Sequence, residues 1–190
     1  MITALFVAPD SIYKTMDGVD AWDAARDALL WSGGGPVIAH PPCRSWSALR
    51  GLAHPLPGEH ELAPWAVTVV RGWGGVLEHP AWSTLWPAMH LPPPGEQDRY
   101  GHSVVLDQYW FGHRARKRTW CYVCGVPPAD VPVMPFALGT PSHQVAWSRS
   151  LTYRVNSAAY RRPGLEPRER SATPARFAKW LVSVARAVPF

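Results

Sequence analysis

Apolar and polar positions divide the first 126 residues of the chain into short blocks. Ile2 to Val7 is apolar apart from Thr3, the size of a buried strand. Two later runs end alike. G-G-G-P-V-I-A-H-P closes at Pro41 and R-G-W-G-G-V-L-E-H-P at Pro80, each a short apolar segment with glycine before it and His-Pro behind it. Between them Leu62, Trp65, Ala66, Val69, Val70 and Trp73 recur at the spacing of a helix with one buried face, and Gly74 and Gly75 suit its end. Strand, helix and strand in that order form a crossover, which predicts parallel strands. Proline cannot continue a central strand, so Cys43 and Glu78 fall at the carboxyl ends of neighbouring strands, the edge where open α/β sheets bind ligands.

The remaining pattern fits the same class. Trp22, Ala25 and Leu29 have helical spacing, with Asp20 as N-cap, and Thr119 to Val126 reads as a later strand. Thr173 and Pro174 resemble an N-cap and first helical residue, and Phe177, Trp180, Leu181, Val184 and Val188 form a stripe that predicts a helix covering the sheet. Residues 126–170 are rich in proline and arginine, and the stretch to His143 reads as an ordered loop within a single domain, not a linker between two. There is no tandem repeat.

Composition then sets the context. With 190 residues, 47% of them hydrophobic, the chain is long enough for one real core. No apolar run approaches the about 18 residues of a membrane span, and the start has no basic leader, so a cytoplasmic protein is expected. Three cysteines, an odd number, then argue for free thiols. The net charge of +5 suits a polyanion such as nucleic acid, or a solvated basic face. Arg114, Arg116, Lys117 and Arg118 form one basic group, and Arg149, Arg154, Arg161, Arg162, Arg168 and Arg170 another. Such density suits phosphate contacts, which give affinity without sequence information.

Cys43 stands directly behind Pro41 and Pro42, and Glu78 ends an apolar run. The bland alternative for Cys43 is a small buried hydrophobe. His40, His79 and His143 show none of the spacing of a compact metal site, so no metal is expected. Cys121 and Cys124 form a C-x-x-C, a weak zinc or redox signal without a second pair, and three apart on a strand they face opposite sides, which predicts core or half-buried thiols.

Taken in order, P-P-C after a strand, a glutamate on the next strand and a later F-G-H-R-A-R-K-R-T-W-C-Y-V-C-G resemble motifs of the DNA cytosine-C5 methyltransferase family. The resemblance covers about residues 1–126 and the final helix. It implies a Rossmann-like α/β fold, a mostly parallel sheet flanked by helices in one domain, and DNA as partner. It also implies that Cys43 adds to C6 of a flipped cytosine while Glu78 contacts N3. Small proteins of this kind resemble phage-encoded ones, which would place the protein in the host cytoplasm.

The chemistry explains the pairing. Thiolate addition at C6 makes C5 nucleophilic, and a carboxylic acid at N3 stabilises the charge that develops. A free thiol titrates near ~8.5, so Cys43 needs a positive neighbour, for which His40, Arg44 and Lys117 are candidates. Glu78 needs a raised pKa to donate a proton. Pro42 limits the freedom of the loop. Further contacts to base or DNA are expected from His79, Arg114, Arg116 and Arg118, with Trp46 and Trp110 placed to stack on a base.

The family's arginine-bearing element matches in part: Ala115, Lys117 and Thr119 stand where it has glutamine, arginine and arginine. S-adenosylmethionine is the cofactor the resemblance implies, yet the family's glycine loop is replaced by V-A-P-D-S-I-Y-K. Side chains there crowd the approach, so weak binding is expected, in an altered pocket around Phe6, Asp10 and Asp20. Two other readings stay open: a pyrimidine C5 modification with a different donor, and a non-catalytic DNA-binding or regulatory protein.

Overall fold

The strand β1 (Ile2–Val7), buried along nearly its whole length, has a partner on each side. The computed structural model describes residues 1–145 and 162–189. β2 (Val19–Asp23) and β3 (Val37–Ala39) both run parallel to β1, with Leu5 opposite Trp22 on one side and Ala39 on the other. The apolar helix face identified above forms α1 (Glu59–Trp73), which crosses from β3 to β4 (Gly75–Pro80), parallel and adjacent.

Beyond β4 the direction changes. A short helix, α2 (Leu85–Ala88), precedes β5 (Gly101–Asp107), and β6 (Arg118–Cys124) returns antiparallel between β5 and β4. Residues 108–117 are too few for the crossover that parallel neighbours need, about a dozen or more, so β5 and β6 can pair only as a hairpin. The six-stranded order is β2-β1-β3-β4-β6-β5, a mixed sheet compatible with a Rossmann-like fold. On one face α4 (Ala175–Arg186), which follows the short α3 (Pro167–Ser171), packs Phe177, Leu181 and Val184 in one cluster with Ala4, Ile38, Val76 and Cys121. On the other, Ala63, Ala66 and Val70 of α1 cluster with Leu5, Ala39, Leu77 and Cys124. Cys121 and Cys124 therefore lie in different cores, as their spacing predicts.

The helix predicted from Trp22 to Leu29 does not form. Its first residues belong to β2, because the open edge of β1 offers backbone partners there, beginning with Ile2 N–H to the Gly18 carbonyl at 3.1 Å. Asp23 and Asp27 then turn the chain instead of continuing it. Asp23 Oδ1 accepts from the amides of Ala25 and Arg26, and Asp27, at φ +52°, accepts from Leu29 N–H. Only a single turn of 3-10 helix, Ala28–Leu30, remains. Asp20 is thus a strand residue, not a cap. At the other end Pro174, expected as the first helical residue, is the N-cap of α4, and Val188 lies beyond the helix.

Candidate active site at the carboxyl edge

Chain order β1, β2, β3 against spatial order β2-β1-β3 puts the reversal point of the sheet between β1 and β3, and ligands of open α/β sheets bind outside the carboxyl ends at such a point. β1 ends at this edge with a register shift between Leu5 and Val7, and Phe6 takes φ +60°, uncommon for a bulky residue. β3 ends there too, and His40, Pro41, Pro42 and Cys43 run out over it.

The turn that carries Cys43 is held from below. The Cys43 carbonyl accepts from the amides of Trp46 (3.0 Å) and Ser47 (2.8 Å). Pro64 lies inside α1, has no N–H, and leaves the His60 carbonyl without its helical donor. The indole of Trp46 donates to that carbonyl at 3.1 Å and stacks on the His60 ring. Trp46 is 6% exposed, so in this state it anchors the turn and presents no open face to a base. Arg44 reaches Glu59 at the start of α1 and is likewise engaged within the chain.

Glu78 lies on β4 opposite Cys121, next to His79. Its Oε2 accepts from His40 Nδ1–H at 3.0 Å, and its Oε1 from Gln108 Nε2–H at 3.1 Å. His40 Nε2 stands 3.0 Å from the hydroxyl of Tyr13, and Gln108 donates a second time to Thr119 Oγ1 at 3.0 Å. One chain of hydrogen bonds thus links the turns after β1, β3 and β5 to side chains on β4 and β6. Tyr13 and Gln108 are not named from sequence, and Thr119 is named only as a strand residue standing where the family's element has arginine. Tyr13 sits in the polar run S-I-Y-K, and the one weak sign for Gln108 is its place just after a strand.

Burial alone would raise the Glu78 pKa, but the His40 hydrogen bond, helped by the charges of Lys117 and His40, outweighs it and holds the carboxyl down at about 2. Glu78 is therefore ionised in the free protein, contrary to the raised pKa expected above. Cys43 behaves the other way. Burial and the Glu78 charge raise its thiol above the ordinary value, while Lys117 pulls it down. Of the three cations proposed to activate the thiol, Lys117 is the one whose charge acts on it without an ion pair of its own among the described residues. His79 is fully buried, and burial lowers its pKa to about 4, so it is neutral. The Pro42 carbonyl faces its ring without completing a hydrogen bond, and neither ring nitrogen has a partner.

The other expected contacts divide. Arg114 is tied to Glu169 of α3 at 3.0 Å and to His143, and Arg116 to Asp107 at 3.3 Å and the Gly139 carbonyl at 3.0 Å. Arg118 is exposed and lies over the Trp82 ring. Trp110 packs against Phe136, with its indole nitrogen buried and unpartnered. Arg149, Arg154 and Arg161 lie outside the described residues.

The residues expected to hold S-adenosylmethionine each have a partner within the chain. Asp10 pairs with Arg168 of α3 at 3.2 Å. Asp20 pairs with Arg26 and accepts from the Trp22 indole at 2.7 Å, with Arg26 stacked on that indole. Phe6 packs edge-on against Trp65, and Tyr13 is wholly buried. Both carboxylates thus have arginine partners, Asp10 in an exposed pair, and the turn after β1 holds no glycine. Among the described residues no group of His, Cys, Asp and Glu could hold a metal ion, and no helix is long and apolar enough to cross a membrane.

Two clefts lie away from this edge, one of about 480 Å³ beside Arg71, Tyr100 and Gly125 and one of about 700 Å³ along β5 near His102 and Met134. Neither includes Cys43 or Glu78. Compared with models of known protein families the chain matches none, and no curated protein matches it.

Proposed function

We propose that the protein modifies C5 of cytosine in DNA, with the Cys43 thiolate adding to C6 and Glu78 contacting N3. The observation that carries the reading is the meeting of Cys43, Glu78 and Lys117 at the carboxyl edge beside the reversal point, close enough that the charges of Glu78 and Lys117 set the thiol's pKa in opposite directions. A thiol, a carboxyl and a fixed cation are the groups that addition to a pyrimidine ring needs. Basic side chains on the same edge, Lys117 and the exposed Arg118, suit a phosphate backbone.

A second reading is favoured by one observation, the pairing of Asp10 and Asp20 with arginines of the chain: a protein that grips a cytosine without transferring a group to it. Donor-free chemistry separates the two. Addition of a thiolate to C6 makes C5 enamine-like, so its hydrogen exchanges with solvent before any donor is involved. Mixed-sequence DNA, single- and double-stranded, tritiated at cytosine C5 is expected to lose tritium to water with the wild-type protein and not with Cys43→Ser. Binding of that DNA without exchange would overturn the catalytic reading in favour of the second, and absence of both would overturn the two together.

A further inference from the structure

Glu78 presents a difficulty for the proposed chemistry: an ionised carboxylate has no proton to give to N3. The structure offers a source in its neighbour. An ionised carboxylate only accepts, so the His40–Glu78 contact at 3.0 Å requires a proton on His40 Nδ1. The opposite ring nitrogen meets the Tyr13 hydroxyl at 3.0 Å, and a hydroxyl is a partner that serves either form of the ring. It donates to a bare Nε2 and accepts from Nε2–H, so the Nε2 side of His40 keeps its hydrogen bond whichever nitrogen carries the proton. Tyr13 is wholly buried and burial raises its pKa well above the ordinary value, so it remains a phenol throughout. On the other side Gln108 holds Glu78 Oε1 and cannot titrate.

We propose that His40 is the positioning residue that holds the proton for Glu78, and that Tyr13 sustains it in both protonation states. The inference rests on the reading given above. The Cys43 thiol first loses its proton to solvent, and a sulfur electron pair forms the bond to C6. The C5=C6 π pair shifts to C4–C5 and the C4=N3 pair moves onto N3. The Glu78 carboxylate takes the Nδ1 proton of the His40 imidazolium and passes it to N3, which returns Glu78 to carboxylate. His40 is left neutral, with Nε2–H donating to Tyr13 and its Nδ1 hydrogen bond to Glu78 given up until the proton returns. When the sulfur leaves, the same proton returns. The charged or titratable groups facing this pair are Tyr13, Cys43, Cys121, Lys117 and His79, and of these His79 is already neutral and the two thiols and Tyr13 have raised pKa values.

The test is the pH profile of the donor-free C5 exchange. The wild type is expected to show a bell whose two inflections belong to the thiol and to the His40–Glu78 pair. His40→Gln keeps a hydrogen bond to Glu78 but cannot titrate there; it should slow exchange at the optimum by ~100-fold and abolish the inflection that belongs to the pair. Tyr13→Phe retains the ring and removes the acceptor for Nε2–H, so the inflection that belongs to the His40–Glu78 pair should move to lower pH. His40→Gln exchange that is merely slower at every pH, with the bell unchanged, would mean a structural role and overturn the inference, as would a Tyr13→Phe profile superimposed on the wild type. Absence of exchange in the wild type itself would overturn the cytosine reading, a failure distinct from either variant result.

Discussion

Arg44, one residue beyond the candidate nucleophile, grips Glu59 at two points, its Nε meeting Oε1 at 2.8 Å and its Nη2 meeting Oε2 at 2.5 Å. The Glu59 side chain is 3% exposed, and its Oε2 also accepts from the amide of Leu56 at 3.2 Å. Together with the Trp46 indole this pair fastens the loop after Cys43 to the first turns of α1. Arg44→Ala should therefore destabilise the fold by ~2 kcal/mol, less than for a fully buried pair because half of the guanidinium side is wet. Urea unfolding should show this as a lower midpoint with an unchanged slope, whereas an unaltered midpoint would mean that Arg44 is free for other contacts.

His79 sets a pH dependence of stability. Its pKa is about 4 in the folded chain against an ordinary value of 6.5, so it is more readily protonated when unfolded. Its contribution is fully present above pH 6.5 and is lost as pH falls towards 4, a change on the order of 3 kcal/mol. Glu78 acts lower, its contribution being lost only between its ordinary value of 4.5 and about 2. Unfolding midpoints measured from pH 7 to 4.5 should fall steeply in the wild type and stay nearly level in His79→Leu.

Cys43 should alkylate more slowly at neutral pH than a free thiol, because burial and Glu78 keep it protonated. The direction of two variants is set by sign. Glu78→Gln removes a charge that raises the thiol's pKa and should speed iodoacetamide labelling, while Lys117→Met removes one that lowers it and should slow labelling. Cys121 and Cys124 are buried, so mass spectrometry should find the adduct on Cys43. Equal rates in both variants would remove the electrostatic link among the three groups.

Arginines of the basic segment are expected to differ in kind. Arg118→Ala should weaken DNA binding and reduce the slope of log affinity against log salt by about 1, as loss of one phosphate contact does. Arg114→Ala should leave the salt slope in place and instead loosen the packing of α3, because its guanidinium is already committed to Glu169. A salt slope that drops equally for both would show that the Glu169 pair opens when DNA binds.

The sequence by itself determined the α1 crossover, the α4 stripe and the neighbouring positions of Cys43 and Glu78. Each is written in local periodicity or in a proline that ends a strand, and one crossover is enough to bring two adjacent strand ends together. Tertiary structure decided the rest. Residues 20–29 carry helical spacing, yet the unfilled edge of β1 claims the first of them as β2, because pairing with a buried strand outweighs the propensity of a short amphipathic segment. The direction of β6 follows from the shortness of the turn after β5 and from the slot left beside β4. Ionisation at the site is likewise a property of the assembled sheet. Glu78 meets His40 across 38 positions and Gln108 across 30, and His40 meets Tyr13 across 27, separations that no spacing rule joins. A carboxyl in an apolar run reads as a raised pKa from sequence; strand order supplies the donors and cations that reverse it, because hydrogen bonds and charges at contact distance outweigh burial only once the fold has placed them there.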